Sequence, residues 1–332
     1  MRTTCFFRSR RHCFAALLAL TVILVGCGQH SDTVVLKVGH DLTQNTSVHK
    51  AMVYMGERLH EHSGGTMQLE VYSSGQLGAE RELIELLQIG SLAMTKVSAG
   101  PMESFVPRMQ VFSIPYLFRD HDHFWNVLNS DLGRDLLLAG EEVRLRGLGY
   151  YDAGSRSFYT TERAVHQPED LAGLRLRVME SQTAMRMVRA LGGSATPISW
   201  GELYTALSQG VVDGAENNPP SFHISKHYEV SRYYILDEHT YIPDVVLISS
   251  YIWNSLTEQQ QGWLQQAMDE SVTYQKQLWA EATAHALREV QEHGVEIIYP
   301  DKSAFIDAVA EMHESYRGHP IYDVLRQVQA ME

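Results

Sequence analysis

Hydrophobic and polar positions change their period repeatedly along the chain, and each change marks an element. Val34 to His40 (VVLKVGH) reads as a short strand. From Val48 to His62, Met52, Met55 and Leu59 recur at helical spacing until Ser63-Gly64-Gly65 ends the run. MQLEVY at 67–72 predicts a second strand, the turn SSGQLG follows, a helix runs from Glu80 to Gly90, and SLAMTKVSA at 91–99 is again extended and partly apolar. Alternation of this kind predicts an open α/β sheet. Ligands bind such sheets at the carboxyl ends of the strands, so the ends near His40, Tyr72 and Ser98 point toward a cleft.

A second set of elements follows a helical stretch at 121–139. VRLRGLGYYDA (143–153) and GLRLRVM (173–179) each contain a strand, and SWGELYTALSQG (199–210) is a helix that leads into VVDGAEN. Two α/β lobes are expected, with a boundary near 153. The first covers 27–153, and VVLISSYIW (245–253) is a strand returning to it within 243–256; the second covers 154–242. More than one crossover makes a hinge between lobes. From Thr257 to His293 the chain has no proline and a single glycine, Gly262, which allows one helix of about 36 residues, roughly 54 Å long, or two shorter ones. That segment, 257–293, would span both lobes, and 294–332 adds terminal helices.

The first residues change where this fold works. Arg2, Arg8, Arg10 and Arg11 precede an apolar run from Phe14 to Gly26 that is too short for a permanent membrane span, which is the layout of an export signal. It ends Leu24-Val25-Gly26-Cys27 and resembles a bacterial lipobox, in which the Cys27 thiol would be lipidated and Cys27 become the new N-terminus; ordinary cleavage nearby is the alternative. Loss of residues 1–26 takes the net charge from −13 to −17, too acidic for bulk attraction to nucleic acid or an anionic membrane face. Any contact with a membrane would then run through the lipid anchor of a periplasmic protein. Cys5 and Cys13 leave with the leader, so no disulfide can form within the mature chain.

Catalytic signals are thin. The chain has no GxxxxGK[ST], HExxH or GxSxG, and Gly147-Leu148-Gly149 lacks the third glycine of a dinucleotide site. His121-Asp122-His123 reads as the polar first turn of a helix rather than a metal fragment, and neither metal nor cofactor is expected. Two arginines stand out. Strand alternation puts Arg175 and Arg177 on one face, opposite Leu174, Leu176 and Val178, while Arg156 falls in a loop, DAGSRSF, just past the strand ending near Ala153. A guanidinium grips a carboxylate through two parallel hydrogen bonds, although either arginine alone also suits a plain surface. In NNPPSF, Pro219 and Pro220 bias Asn218 to extended geometry beside Asn217, an amide able to donate and to accept, ahead of a helix starting near Ser221.

YSSGQLGAERE (72–82), VFSIPYLFRD (111–120), DLAGLRLRV (170–178), GGSATPISWGELYTALSQGVVDGAEN (192–217) and SKHYEV (225–230) recur in one order, and in them nearly the whole mature chain resembles the DctP-like extracytoplasmic solute-binding proteins of TRAP transporters. The resemblance implies a two-lobed periplasmic-binding-protein fold and a non-enzymatic role. It also implies that Arg177 makes the main salt bridge to a substrate carboxylate, with Arg156 and Asn217 assisting. Trp200 and His239 would line the pocket, and His40, Asp41, Lys96 and Ser98 would form the first-lobe wall. One extra residue separates Arg156 from Arg177 relative to sialate-binding members. AENNPPSF with VSAGPMESFVPRM resembles the sugar-acid branch, which takes hexuronates such as glucuronate and galacturonate; Lys96 leaves C4-dicarboxylates open. The implied partners are the small and large membrane subunits of the permease, or a receptor in a sensing role. A rival of another class is an exported enzyme on acidic sugars, using Glu180 with His239 as acid and base.

Overall fold

The structure, a computed structural model, describes residues 33–331; the leader and Cys27 lie outside the described residues. Residues 35 to 331 form one compact unit built on two sheets. The first has the order β2-β1-β3-β10-β4, with β1 at Val34–Gly39, β2 at Met67–Tyr72, β3 at Met94–Ser98, β4 at Leu145–Tyr151 and β10 at Asp244–Ser249. β1 and β3 are parallel, whereas β10 runs antiparallel to both β3 and β4. The second has the order β11-β9-β5-β8-β6-β7, with β5 at Ser155–Thr160, β6 at Arg175–Val178, β7 at Ser194–Pro197, β8 at Gly214–Asn217, β9 at Tyr233–Tyr241 and β11 at Glu296–Ile298.

The chain passes between the sheets three times: from Tyr151 to Ser155, from Tyr241 to Asp244, and along the helix Glu258–Glu292. This is the two-lobed α/β fold with several crossovers that the pattern predicts. The helix has 35 residues without a break, about 52 Å at 1.5 Å per residue. Thr257 and Gln260 form a reciprocal capping box at its start, and Gly294 (φ +91°) turns the chain beyond its end. Leu264, Ala267, Met268, Ser271, Gln275 and Trp279 are buried along it, followed by Ala286 and Val290. It packs on the helix Ser47–His62 and β4 of the first sheet, and on the helix Pro219–Ile224 and β11 of the second. Gln275 also clamps the first crossover, accepting from Asp152 N and donating to Asp152 O, both at 2.8 Å.

Local chemistry breaks some elements where periodicity runs on. The helical stretch 121–139 is two helices, His121–Asn129 and Asp131–Leu138, because Ser130 is extended and its hydroxyl caps the second by accepting from Gly133 N. His121-Asp122-His123 does open the first of them, with Asp120 as its cap. Arg156 is not in a loop. It is the second residue of β5, held between β8 and β9, a strand whose Ser, Arg and Thr content hides it. Close approach of β5 and β8 requires glycine at 214, where a Cβ would stand 2.4 Å from Tyr159 O. The helix near Ser221 begins two residues earlier, at Pro219, with Asn218 (φ −81°, ψ 158°) as its cap.

Candidate functional site

A cleft with a cavity volume of about 100 Å³ lies between the two sheets. Of the ten side chains expected at the site, eight line this cavity: Arg177, Arg156, Asn217, Trp200, Lys96, Asp41, Ser98 and Glu180. His40 and His239 do not.

On the second-sheet wall Arg177 sits in the middle of β6, in register with Thr196 of β7 and Ala215 of β8. Its side chain is 3% exposed. Nε donates to Ile198 O at 2.7 Å, the Trp200 ring centre lies 5.9 Å from Cζ, and buried Nη1 has no hydrogen-bond partner. Burial pulls Arg177 below the ordinary arginine value and outweighs the opposing pull of Glu216. Among the described residues no carboxylate lies within ion-pair distance of it.

Arg156 shows the contrast. Its Nε and Nη2 donate to the two carboxylate oxygens of Glu216 at 2.5 and 2.9 Å, and Nη2 also reaches Glu216 O. Burial alone lowers Arg156, but the Glu216 carboxylate overrides it and leaves the guanidinium above its ordinary value. Nη1 donates to Asn217 Oδ1 at 2.9 Å, and Asn218 N donates to the same oxygen. Asn217 therefore offers the cavity its amide NH₂ and not, as the sequence suggests, both halves of the group. Asn218 lines the cavity while capping its helix, its Oδ1 accepting from Ser221 N at 2.8 Å.

His239 is sealed behind this wall, fully buried on β9, with Nδ1 2.7 Å from Asp237 Oδ2 and Nε2 3.5 Å from Glu216 Oε2. Burial opposes its charge, yet Asp237 and Glu216 together raise it to about 9. Glu216 answers in kind: burial would raise it, and Arg156 with His239 hold it at about 2. His239 thus props the pocket wall without touching the cavity, because Phe158 lies against its ring, Asp237 holds Nδ1 and Glu216 stands 3.5 Å from Nε2. The acid–base pair of the enzyme reading, Glu180 with His239, is consequently not assembled around one ligand: Glu180 is exposed at the cavity and His239 is walled off. Because the folded state raises His239 above its unfolded value near 6.5, its stabilisation is complete below that pH and is lost as pH rises through about 9. Urea unfolding should show the gap between wild type and His239→Gln to be about 1–3 kcal/mol larger at pH 6 than at pH 10. An equal gap at both pH values contradicts the charged imidazolium.

The first-sheet wall is acidic. Lys96 on β3 is 2% exposed and sits 3.1 Å from Asp244 Oδ1 and 3.4 Å from Glu80 Oε1. Ser98 pairs with Asp244 across β3 and β10, and Lys96 lies two residues back on the same face, so the strand register itself delivers this ion pair. Burial would discharge Lys96, but Asp244, Glu80 and Asp41 outweigh it and keep it a cation. Glu80, at the start of the helix Glu80–Gln88, also accepts from Ser98 N at 2.7 Å. Asp41, just past β1, lines the cavity with one carboxyl oxygen, Oδ1, that is buried and has no partner. Its neighbour His40 is turned inward, fully buried, with Nε2 3.1 Å from His49 Nδ1. Burial first, then Lys96, pushes His40 down to about 3, so it is a neutral packing group and not the wall residue its position suggests.

The sequence pattern does not single out Glu80, Asp244 or Glu216, although the first and last lie inside two of the motifs quoted above. Their partners stand on strands distant in the chain.

Residues 38–319 match the family described as bacterial extracellular solute-binding protein, family 7. The chain belongs to this family. The relative YiiZ of Salmonella typhimurium is 38% identical over 285 residues, covering 85% of this chain and 87% of that one. Among solved structures, a TRAP periplasmic solute-binding protein of a Bradyrhizobium species in complex with D-galacturonate has a TM-score of 0.86 at 34% identity, covering 89% of this chain and 99% of its own. One from Pseudomonas putida F1 with bound D-glucuronate has a TM-score of 0.87 at 34% identity, with coverage of 90% and 98%.

Proposed function

We propose that this TRAP solute-binding protein captures a hexuronate such as D-galacturonate or D-glucuronate outside the cytoplasm, and delivers it to the small and large membrane subunits of its transporter. The observation that carries the reading is the unpaired guanidinium of Arg177, with buried Nη1 lacking a partner on the cavity wall. A buried cation left without a counter-ion is costly, and an entering carboxylate removes that cost. The two nearest charges do not compete for the role: Glu216 neutralises Arg156, and Asp237 balances His239. Arg177 is therefore the one arginine of this wall without a carboxylate at ion-pair distance among the described residues, Glu180 standing exposed at the cavity edge, and it suits one ligand carboxylate.

The opposite wall supports a sugar acid over a C4-dicarboxylate. Lys96, the cation that would meet a second carboxylate, is already paired with Asp244 and Glu80. What remains there are carboxylate oxygens, which accept hydrogen bonds from hydroxyls. Relatives of this fold crystallised with galacturonate and glucuronate agree with that inventory. Closure of the two sheets' domains about the crossovers and the long helix would bury the ion pair. Thermal shift and calorimetry against uronates and C4-dicarboxylates test the reading: a uronate at 100 times its dissociation constant should stabilise by about 2.7 kcal/mol, and succinate or malate at the same concentration far less. A reversed preference refutes it.

We also propose that Cys27 carries a lipid anchor. Wild type should incorporate labelled palmitate and Cys27→Ser should not; label absent from wild type or retained in the variant refutes the anchor.

A further inference from the structure

We propose that Asp41 is the specificity residue of the cleft: its unpartnered carboxyl oxygen takes hydrogen bonds from ligand hydroxyls remote from Arg177 and, with Glu80 and Asp244, excludes any sugar acid bearing a second carboxylate. This deepens the hexuronate reading and rests on it. On the first-sheet wall Asp41, Glu80 and Asp244 line the cavity together with Lys96, while Arg81 at its edge is paired with Glu85. Lys96 lies within ion-pair distance of Glu80 and Asp244, and Glu80 accepts from Ser98 N as well. Asp41 alone of the three presents a buried oxygen with no partner. Across the cleft the matching unpartnered atom is Arg177 Nη1. The cavity thus sets an unpartnered guanidinium nitrogen on one side against an unpartnered carboxyl oxygen on the other, a polarity that a monocarboxylate with hydroxyls satisfies and a dicarboxylate does not.

The same cluster makes the exclusion depend on pH. Burial first, then Glu80 and Asp244, against the opposing pull of Lys96, raises Asp41 to about 7. Asp244 is raised too, by burial and Glu80, so the proton belongs to a cluster centred on Asp41. The groups facing Asp41 are Glu80 from the helix Glu80–Gln88, Lys96 from β3 and Asp244 from β10. His40 beside it is neutral, held down to about 3, and His49 on the helix Ser47–His62 is lowered by burial. Above pH 7 the wall is fully charged and repels a second anion; below pH 7 it takes up a proton and the repulsion eases.

The test compares D-galacturonate with galactarate, the open-chain diacid that keeps the configuration at C2 to C5 and has C1 oxidised to a second carboxylate. Both carboxylates of galactarate remain ionised at pH 5.5, as ordinary carboxyls titrate near 4. Calorimetry of the full mature protein at pH 8 and pH 5.5 should show the preference for galacturonate falling at least about fivefold at the lower pH. Ligand shape is the same at both pH values, so charge is what the change reports. Asp41→Asn should cut the pH 8 preference by roughly tenfold or more and remove its pH dependence, while weakening galacturonate itself less. The wild-type pH series stands even if that variant folds poorly. A preference identical at both pH values, or unchanged in Asp41→Asn, overturns the proposal with the hexuronate reading intact. Absence of galacturonate binding by wild type overturns both.

Discussion

Replacing Arg177 with alanine should weaken uronate binding by at least about 3 kcal/mol, roughly 150-fold, because it strands the ligand carboxylate in a cleft that keeps no other unpaired cation on that wall. Arg156 cannot substitute. Three of its donor contacts are committed to Glu216 and the fourth to Asn217 Oδ1. Arg177→Lys should also bind poorly. An ammonium at this site loses the fork that a guanidinium offers, and it loses Nε, which in Arg177 donates to Ile198 O and fixes the plane of the group. Isothermal calorimetry measures both variants, with melting temperature of the unliganded protein as the control for folding. Near wild-type affinity in Arg177→Ala would remove the basis of the hexuronate reading.

The second large effect is on stability. Glu216→Gln should cost about 3–5 kcal/mol in urea unfolding at pH 7, because it leaves Arg156 buried without its carboxylate and takes from His239 one of its two acids. Arg156 is 4% exposed and Glu216 1%, so water cannot compensate either loss. His239→Gln should cost less, since Glu216 keeps its bidentate partner. A loss below about 1 kcal/mol in Glu216→Gln would mean that this network does not hold the wall.

Arg177 is legible in the sequence through the alternation of GLRLRVM and the family resemblance, but its burial is not: Arg175, which shares its face in that alternation, is exposed while Arg177 is buried. Arg156 is legible as a residue but not as a strand. Asp152, Gly154, Ser155 and Ser157 around it carry turn chemistry, and only pairing with β8 and β9 makes the segment extended. The long helix is legible from an absence of breakers over 257–293, and its unbroken course follows from the capping box and a buried stripe that changes partner halfway along. The two histidines mislead for one shared reason. The family resemblance puts both on the pocket wall, but His40 turns to His49 and His239 turns to Asp237, partners that local pattern does not reveal. The acids around Lys96 are hidden more deeply: positions 80, 96 and 244 meet only because β10 returns to lie beside β3.

The most direct measurement is a crystal structure of the protein with D-galacturonate. The carboxylate should lie within hydrogen-bond distance, about 3 Å, of Arg177 Nη1, with ring hydroxyls turned toward Asp41 and Glu80. A carboxylate bound at Lys96 with hydroxyls on Arg177, or a sugar seated outside the cleft, would contradict the account.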